Sequence, residues 1–255
     1  MPTLKRADAE IYYEEYGSGY PVLLLAPGGM RSQIAMWRAA PGGPPRAWND
    51  WTEVLPRAGY RVIAMDQRNA GKSKGAIAAD HGWHTYAADQ LALLDHLGIA
   101  RCHTLGGCIG SSFCLMLSQT APARISAQVL QNPIGLNPEF PTYFPESFIE
   151  WAKELKAARP ELDDAALAGL GRNLWDHDFV YCMPREAVPK IQTPSLVLPG
   201  DDKPHPTYAG LALAELLPHA EMLRQWKAPA HLKVAGERVL DFLAKHTPKG
   251  TAAAA

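Results

Sequence analysis

Short apolar runs of strand length alternate with amphipathic stretches of helix length along most of this chain, and that alternation admits few architectures. Strands buried on both faces read as continuous apolar runs, and the helices between them must cross over the sheet. The pattern therefore predicts an α/β class with a mostly parallel central sheet and helices on both faces. Strands are expected at 10–16, 22–26, 61–66, 102–106, 125–131, 195–198 and 221–226. Helices are expected at 51–59, 86–97, after residue 110, and at 234–246. Between 133 and about 189 the rhythm breaks into proline- and aromatic-rich sequence, with helix-like pieces at 146–158 and 163–175 and no strand-like run. This predicts a core of residues 1–133 and 190–255 carrying a small helical lid at 134–189. Trp151, Trp175, Phe179 and Tyr181 of that insertion are expected mostly to pack it onto the core, with Trp175 the candidate to line a substrate pocket.

The bulk properties exclude several classes of function. A chain of 255 residues can bury a full core without staples. Its formal net charge of -1 supplies no field that would draw it to nucleic acid or to an anionic membrane. Cys102, Cys108, Cys114 and Cys182 form no Cys-x-x-Cys pair, which suits free thiols in a reducing compartment. The N-terminal residues show no long apolar run, so neither a signal peptide nor a spanning helix is expected. A cytoplasmic location follows as the expectation, with a small-molecule substrate as the partner. A homodimer is compatible with all of this. The Gly250-Thr251 and alanine tail is expected to be disordered.

Gly106-Gly107-Cys108-Ile109-Gly110 joins an apolar strand to an apolar helix. A sharp strand-to-helix turn forces its middle residue into a strained backbone conformation, so the positions two before and two after must carry almost no side chain. Gly106 and Gly110 meet that demand. Cys108 then stands at a helix N-terminus, where backbone N–H groups favour a thiolate and any oxyanion it generates.

A thiol nucleophile needs a base, and the base needs a third group to hold it. Three features sit where loops converge beyond the strand ends. Pro27-Gly28-Gly29 ends the 22–26 strand in a glycine turn, and the amides of Gly29 and Ile109 are the candidate oxyanion donors. Gly200-Asp201-Asp202-Lys203-Pro204-His205-Pro206 places two carboxylates after the 195–198 strand, with Asp202 preferred and Asp201 the alternative. His231, in the loop before the last helix, is the candidate base.

These motifs, and their order of nucleophile, acid and histidine, resemble the α/β-hydrolase superfamily. Asp66-Gln67-Arg68-Asn69-Ala70-Gly71-Lys72-Ser73 is similar to the superfamily's Asp-x-Arg-Gly-x-Gly-x-Ser stretch. The chain departs from the pattern in three places. Pro27 replaces the usual histidine before the oxyanion glycines, a cysteine replaces the serine, as in dienelactone hydrolase-like members, and the acid loop is one residue short. His205 is a second nearby imidazole that could contact substrate or fill the loop.

The resemblance implies acyl transfer from a small ester, lactone or thioester to water, through a thioester on Cys108 with His231 and Asp202. An acyltransferase or a carbon–carbon bond hydrolase could use the same parts. A non-catalytic sensor or ligand binder on this scaffold is the rival of another class. Gly71-Lys72-Ser73 imitates the end of a P-loop, but Asp66 stands where its first glycine belongs. No metal site has a complete ligand set at a recognisable spacing, and no cofactor is expected.

Overall fold

A computed structural model describes residues 2–39, 42–43 and 46–249; part of the proline-rich 39–45 loop and the alanine tail fall outside the described residues. Among the described residues nine strands form one sheet: β1 (Thr3–Lys5), β2 (Ala9–Tyr16), β3 (Tyr20–Leu25), β4 (Tyr60–Met65), β5 (Lys74–Gly75), β6 (Cys102–Gly107), β7 (Ile125–Gln131), β8 (Ser195–Leu198) and β9 (Ala220–Met222). Their order is β1-β2-β4-β3-β6-β7-β8-β9, with β5 pairing β2. From β4 to β9 every neighbouring pair is parallel, and β2 runs antiparallel to β4, β1 and β5. The expected sheet is therefore present.

Alternation within β3 shows how the sheet acquires two buried faces. Leu23 and Leu25 point into one core with Phe113, Leu117 and Leu93, while Val22 and Leu24 point into the other with Trp51, Leu55, Val239 and Phe242. The first set is supplied by helices α2 (Trp83–His96) and α3 (Ile109–Thr120), the second by α1 (Trp51–Arg57) and α7 (Leu232–His246). Helices on both faces follow from this period of two, because neither face of the sheet can be left wet.

Between β7 and β8 lie α4 (Tyr143–Ala158) and α5 (Asp164–Trp175), outside the sheet. Asp163 caps α5, its carboxylate accepting from the amides of Ala165 and Ala166 at 3.3 and 3.0 Å. Phe144, Phe148 and Trp151 of α4 turn inward onto the α2/α3 core.

Two differences from the sequence pattern matter for the site. A helix, α6 (Thr207–Leu216), fills the crossover between β8 and β9, where the apolar pattern marked none. The last strand stops at Met222 instead of running to Trp226. Leu223 still donates to the Val197 carbonyl at 3.0 Å, and the chain then folds back so that Trp226 buries its ring and donates from Nε1 to the Pro199 carbonyl at 2.8 Å. Among the described residues no helix is long and apolar enough to cross a membrane.

Candidate active site

Cys108 occupies the turn between β6 and α3 with φ 57° and ψ -122°, a conformation that L side chains rarely adopt. Backbone crowding explains both flanking glycines. A Cβ on Gly106 would lie 2.1 Å from the Gly110 carbonyl oxygen, and one on Gly110 would lie 2.0 Å from the Leu25 carbonyl oxygen. The turn is held from the β7 side, where the Gln131 carbonyl accepts from the Cys108 amide at 2.9 Å and from Ser111 Oγ at 3.0 Å. Cys108 is half-buried and lines a cavity of about 310 Å³ with Gly28, Gly29, Arg46, Asn132, Tyr143 and His205, among others.

The imidazole in that cavity is His205. It is buried, its Nδ1 is hydrogen-bonded to the Asp202 carboxylate, and its Nε2 makes no well-formed hydrogen bond. Nε2 is the ring nitrogen left for the sulfur, and thiol and imidazole are near enough to perturb each other's ionisation. Burial alone would push the Cys108 thiol up, but the charge and hydrogen-bonding capacity of His205 outweigh it, helped by the amides of Gly28 and Ile109, and the thiol lies below its ordinary value. Burial disfavours the imidazolium too, yet the Cys108 thiolate and the bond to Asp202 carry His205 up to about 9. For Asp202, burial is outweighed by His205 and then by Lys227, which hold it down at about 2. Such a group can exist as a thiolate facing an imidazolium, with the proton already moved. The other cysteines are different: burial pushes Cys102, Cys114 and Cys182 each up to about 12.

His231 lies elsewhere. It begins the turn into α7, its amide donating to the Ala228 carbonyl at 3.0 Å, and it lines a separate cavity with Pro199, Asp201, Trp226 and Lys227. The expectation of His231 beside Cys108 is corrected by the early end of β9. Trp226 folds under Pro199, so the loop presents Lys227 to the acid turn, where Nζ bonds Asp201 and reaches Asp202 Oδ2 at 3.1 Å. Asp201 contacts Lys227, whereas Asp202 alone of the two carboxylates meets an imidazole.

Gly29 and Trp175 differ in their placement. The chain enters a one-turn 3-10 helix at Gly29, and the amides that lie against the resting sulfur are those of Gly28 and Ile109. Gly29 lines the same cavity. Trp175 does not line it: the ring is buried, stacked on Phe144 at 4.9 Å and edge-on to Trp83 and Tyr181 at 5.7 and 5.3 Å. Phe144 and Tyr143, at the start of α4, stand at the cavity instead.

The Asp66–Ser73 stretch supports the glycine turn from behind. Asp66 accepts from the amides of Ile34 and Lys72, both at 2.8 Å, and the Gln67 amide donates to the Ser32 carbonyl at 3.0 Å. Ser32 in turn donates from Oγ to the Ala26 carbonyl at 2.7 Å, at the end of β3. Arg68 makes a bidentate pair with Asp89, both buried, with both contacts at 2.8 Å. The stretch is structural: it braces the segment that follows β3.

Comparison with known proteins agrees with this architecture. RutD of Variovorax paradoxus (strain S110), a protein named for carbamate hydrolysis, is 32% identical over 122 residues, 48% of this chain and 42% of that protein. A 2-hydroxy-6-oxo-6-phenylhexa-2,4-dienoate hydrolase of Comamonas testosteroni is 29% identical over 133 residues, 51% of this chain and 42% of that protein. The chain thus spans less than half the length of these curated relatives. Among solved structures, a hydrolase from Pseudomonas aeruginosa PA01 shares the fold, with a TM-score of 0.69 at 23% identity over 95% of this chain and 97% of that one. The family described as alpha/beta hydrolase fold matches residues 21–167, from β3 through the Cys108 turn and into α5. A match across more than half of the sequence, on a sheet of the same kind, means that this chain belongs to the α/β-hydrolase fold family.

Proposed function

We propose that the protein hydrolyses a small ester, lactone or thioester, with Cys108 as nucleophile, His205 as acid and base, and Asp202 holding the imidazole. One observation carries this reading: a pocket-lining thiol on a strained turn faces a buried imidazole whose far nitrogen is bonded to a carboxylate. Family membership and the activities named for the relatives support it.

The reactive form of the pair is thiolate and imidazolium, which the lowered thiol and the raised imidazole both favour. The thiolate attacks the carbonyl carbon, and the new oxyanion is stabilised by the amides of Ile109 and Gly28. As the tetrahedral centre collapses, the leaving oxygen or sulfur takes the proton from His205 Nε2, leaving a thioester on Cys108. Acylation itself resets the base. The thiolate charge is the strongest influence keeping the buried imidazole protonated, and once the sulfur is acylated that charge is gone. Neutral His205, with Nδ1–H donated to Asp202, then takes a proton from water as the water attacks the thioester, and collapse returns the thiolate and imidazolium and releases the acid. Thiolate is a better leaving group than most amines, so esters, lactones and thioesters are favoured over amides.

The test is to mix the protein with excess p-nitrophenyl acetate, follow the first turnover and weigh the intact protein. The expected result is a burst of p-nitrophenolate with a 1:1 acetyl adduct on Cys108 that decays as turnover proceeds. An adduct elsewhere, or none, refutes the assignment and leaves a thiol that binds or senses without catalysis.

A further inference from the structure

The cavity around Cys108 carries a charge that the chemistry above does not use. Arg46, from the segment after the proline-rich loop, lines this cavity, with its guanidinium 5.3 Å from the centre of the Trp48 ring. Its Nε donates to the Arg38 carbonyl at 2.8 Å, which fixes the plane of the group and leaves the two terminal nitrogens without a partner among the described residues. Among the described residues no carboxylate pairs with it, and none of the side chains lining the cavity is Asp or Glu. The segment's remaining residues, Ala40, Pro41, Pro44 and Pro45, carry no charge either. A stacked, oriented guanidinium facing a small cavity without its own counter-ion is arranged for an anion brought by a ligand.

We infer that the substrate carries a carboxylate, gripped by Arg46 while its reacting carbonyl meets Cys108. This names the substrate class for the hydrolase reading and depends on that reading for the reaction, though not for the binding. One fork with two parallel donors matches one planar carboxylate. A phosphate monoester, with close to two charges, would need more donors than a single guanidinium supplies. The cavity of about 310 Å³ lies at the lower end for small-molecule sites, so the carboxylate and the scissile carbonyl belong to one compact molecule.

The experiment compares alkylation of Cys108 by iodoacetate, an anion, with alkylation by neutral iodoacetamide, both rates read from the Cys108 peptide by mass spectrometry. The ratio of the two rates cancels changes in the thiol itself. Arg46→Met is expected to lower the iodoacetate-to-iodoacetamide ratio by about five- to tenfold, and Arg46→Lys by less. Arg57→Met, on the exposed face of α1, keeps the ratio of the unmodified protein. Arg46→Gln removes the charge while keeping a polar, hydrogen-bonding side chain and gives the same loss as methionine, so a folding defect in one variant does not hide the effect. A ratio unchanged within about twofold in both Arg46→Met and Arg46→Gln overturns the inference. Turnover separates the two readings: if p-nitrophenyl esters never acylate Cys108, the hydrolase assignment fails, while the alkylation ratio still decides whether Arg46 draws an anion to the sulfur.

Discussion

Asp202 and His205 are joined through both backbone and side chains. The His205 amide donates to the Asp202 carbonyl at 3.0 Å, the Asp202 amide donates to the His205 carbonyl at 3.3 Å, and the carboxylate bonds Nδ1 of the ring. Acid and imidazole therefore travel as one tight turn, anchored where β8 ends and α6 begins. Orientation of the ring depends on these three hydrogen bonds and not on a second loop reaching across the site.

This arrangement separates the two histidines by experiment. His205→Ala is expected to lower kcat/KM for a p-nitrophenyl ester by about 10²- to 10⁴-fold, the usual range for a lost acid–base group. His231→Ala, in its separate cavity, is expected to stay within about threefold of the unmodified protein. Steady-state kinetics of the two purified variants decide the matter, and equal losses would return His231 to the site.

Cys108 should also be the one thiol that reacts. Burial holds Cys102, Cys114 and Cys182 at about 12, far above neutrality, whereas Cys108 is lowered and half-buried at a cavity wall. Limited treatment with iodoacetamide at pH 7 is expected to add a single label, on Cys108, and to abolish turnover in step with labelling. Peptide mapping checks it; early label on Cys182 would contradict the burial argument.

The pH profile follows from the signs of the shifts. Cys108 is lowered, so thiolate appears as pH rises through a value below the ordinary cysteine range. His205 is raised to about 9, so the proton needed by the leaving group is lost as pH passes about 9. A bell-shaped kcat/KM is expected, falling on the acid side with Cys108 and on the alkaline side near 9. In His205→Ala the support for the thiolate is gone and only burial acts strongly, so the midpoint for iodoacetamide labelling should move upward. A midpoint that stays in place would show that the amides of Gly28 and Ile109, and not the imidazole, hold the thiol down.

Lys227 bridges Asp201 and Asp202 but reaches neither the ring nor the cavity of Cys108. Its removal in Lys227→Met should leave Asp202 oriented by its own turn, while its carboxyl rises toward the ordinary value. A loss in kcat/KM of no more than about tenfold is expected, since the Asp202 side chain is half-exposed and solvent screens the pair. A loss as large as that of His205→Ala would make Lys227 an essential member of the site.

Gly110 tests the geometry of the turn. With a Cβ 2.0 Å from the Leu25 carbonyl oxygen, Gly110→Ala must push α3 away from β3, at a cost of about 1 to 3 kcal/mol. Chemical denaturation measures it, and an unchanged midpoint would mean that the turn is looser than its contacts indicate.

Much of the fold and part of the site can be read along the chain, because both depend on local patterns. Continuous apolar runs of strand length and helices with apolar faces specify a parallel sheet wherever they alternate, and glycines flanking Cys108 mark a turn where backbone meets backbone. The choice of histidine is not local. Chain order favours His231 over His205, and nothing in either segment records that β9 would end at Met222, that Trp226 would fold under Pro199, or that Lys227 would take the place beside Asp202. The prolines on both sides of His205 were the available signal, since they restrict the turn that returns the ring to its own acid. Trp175 tells the same story: its aromatic ring suits a pocket, but Phe144 from another helix lies against it. Sequence by itself determined the layers, the Cys108 turn and the pair of carboxylates after β8. Tertiary structure decided which imidazole and which amides lie against the sulfur and which cation lies beside Asp202, because those depend on where loops end in space and not on the spacing of residues along the chain.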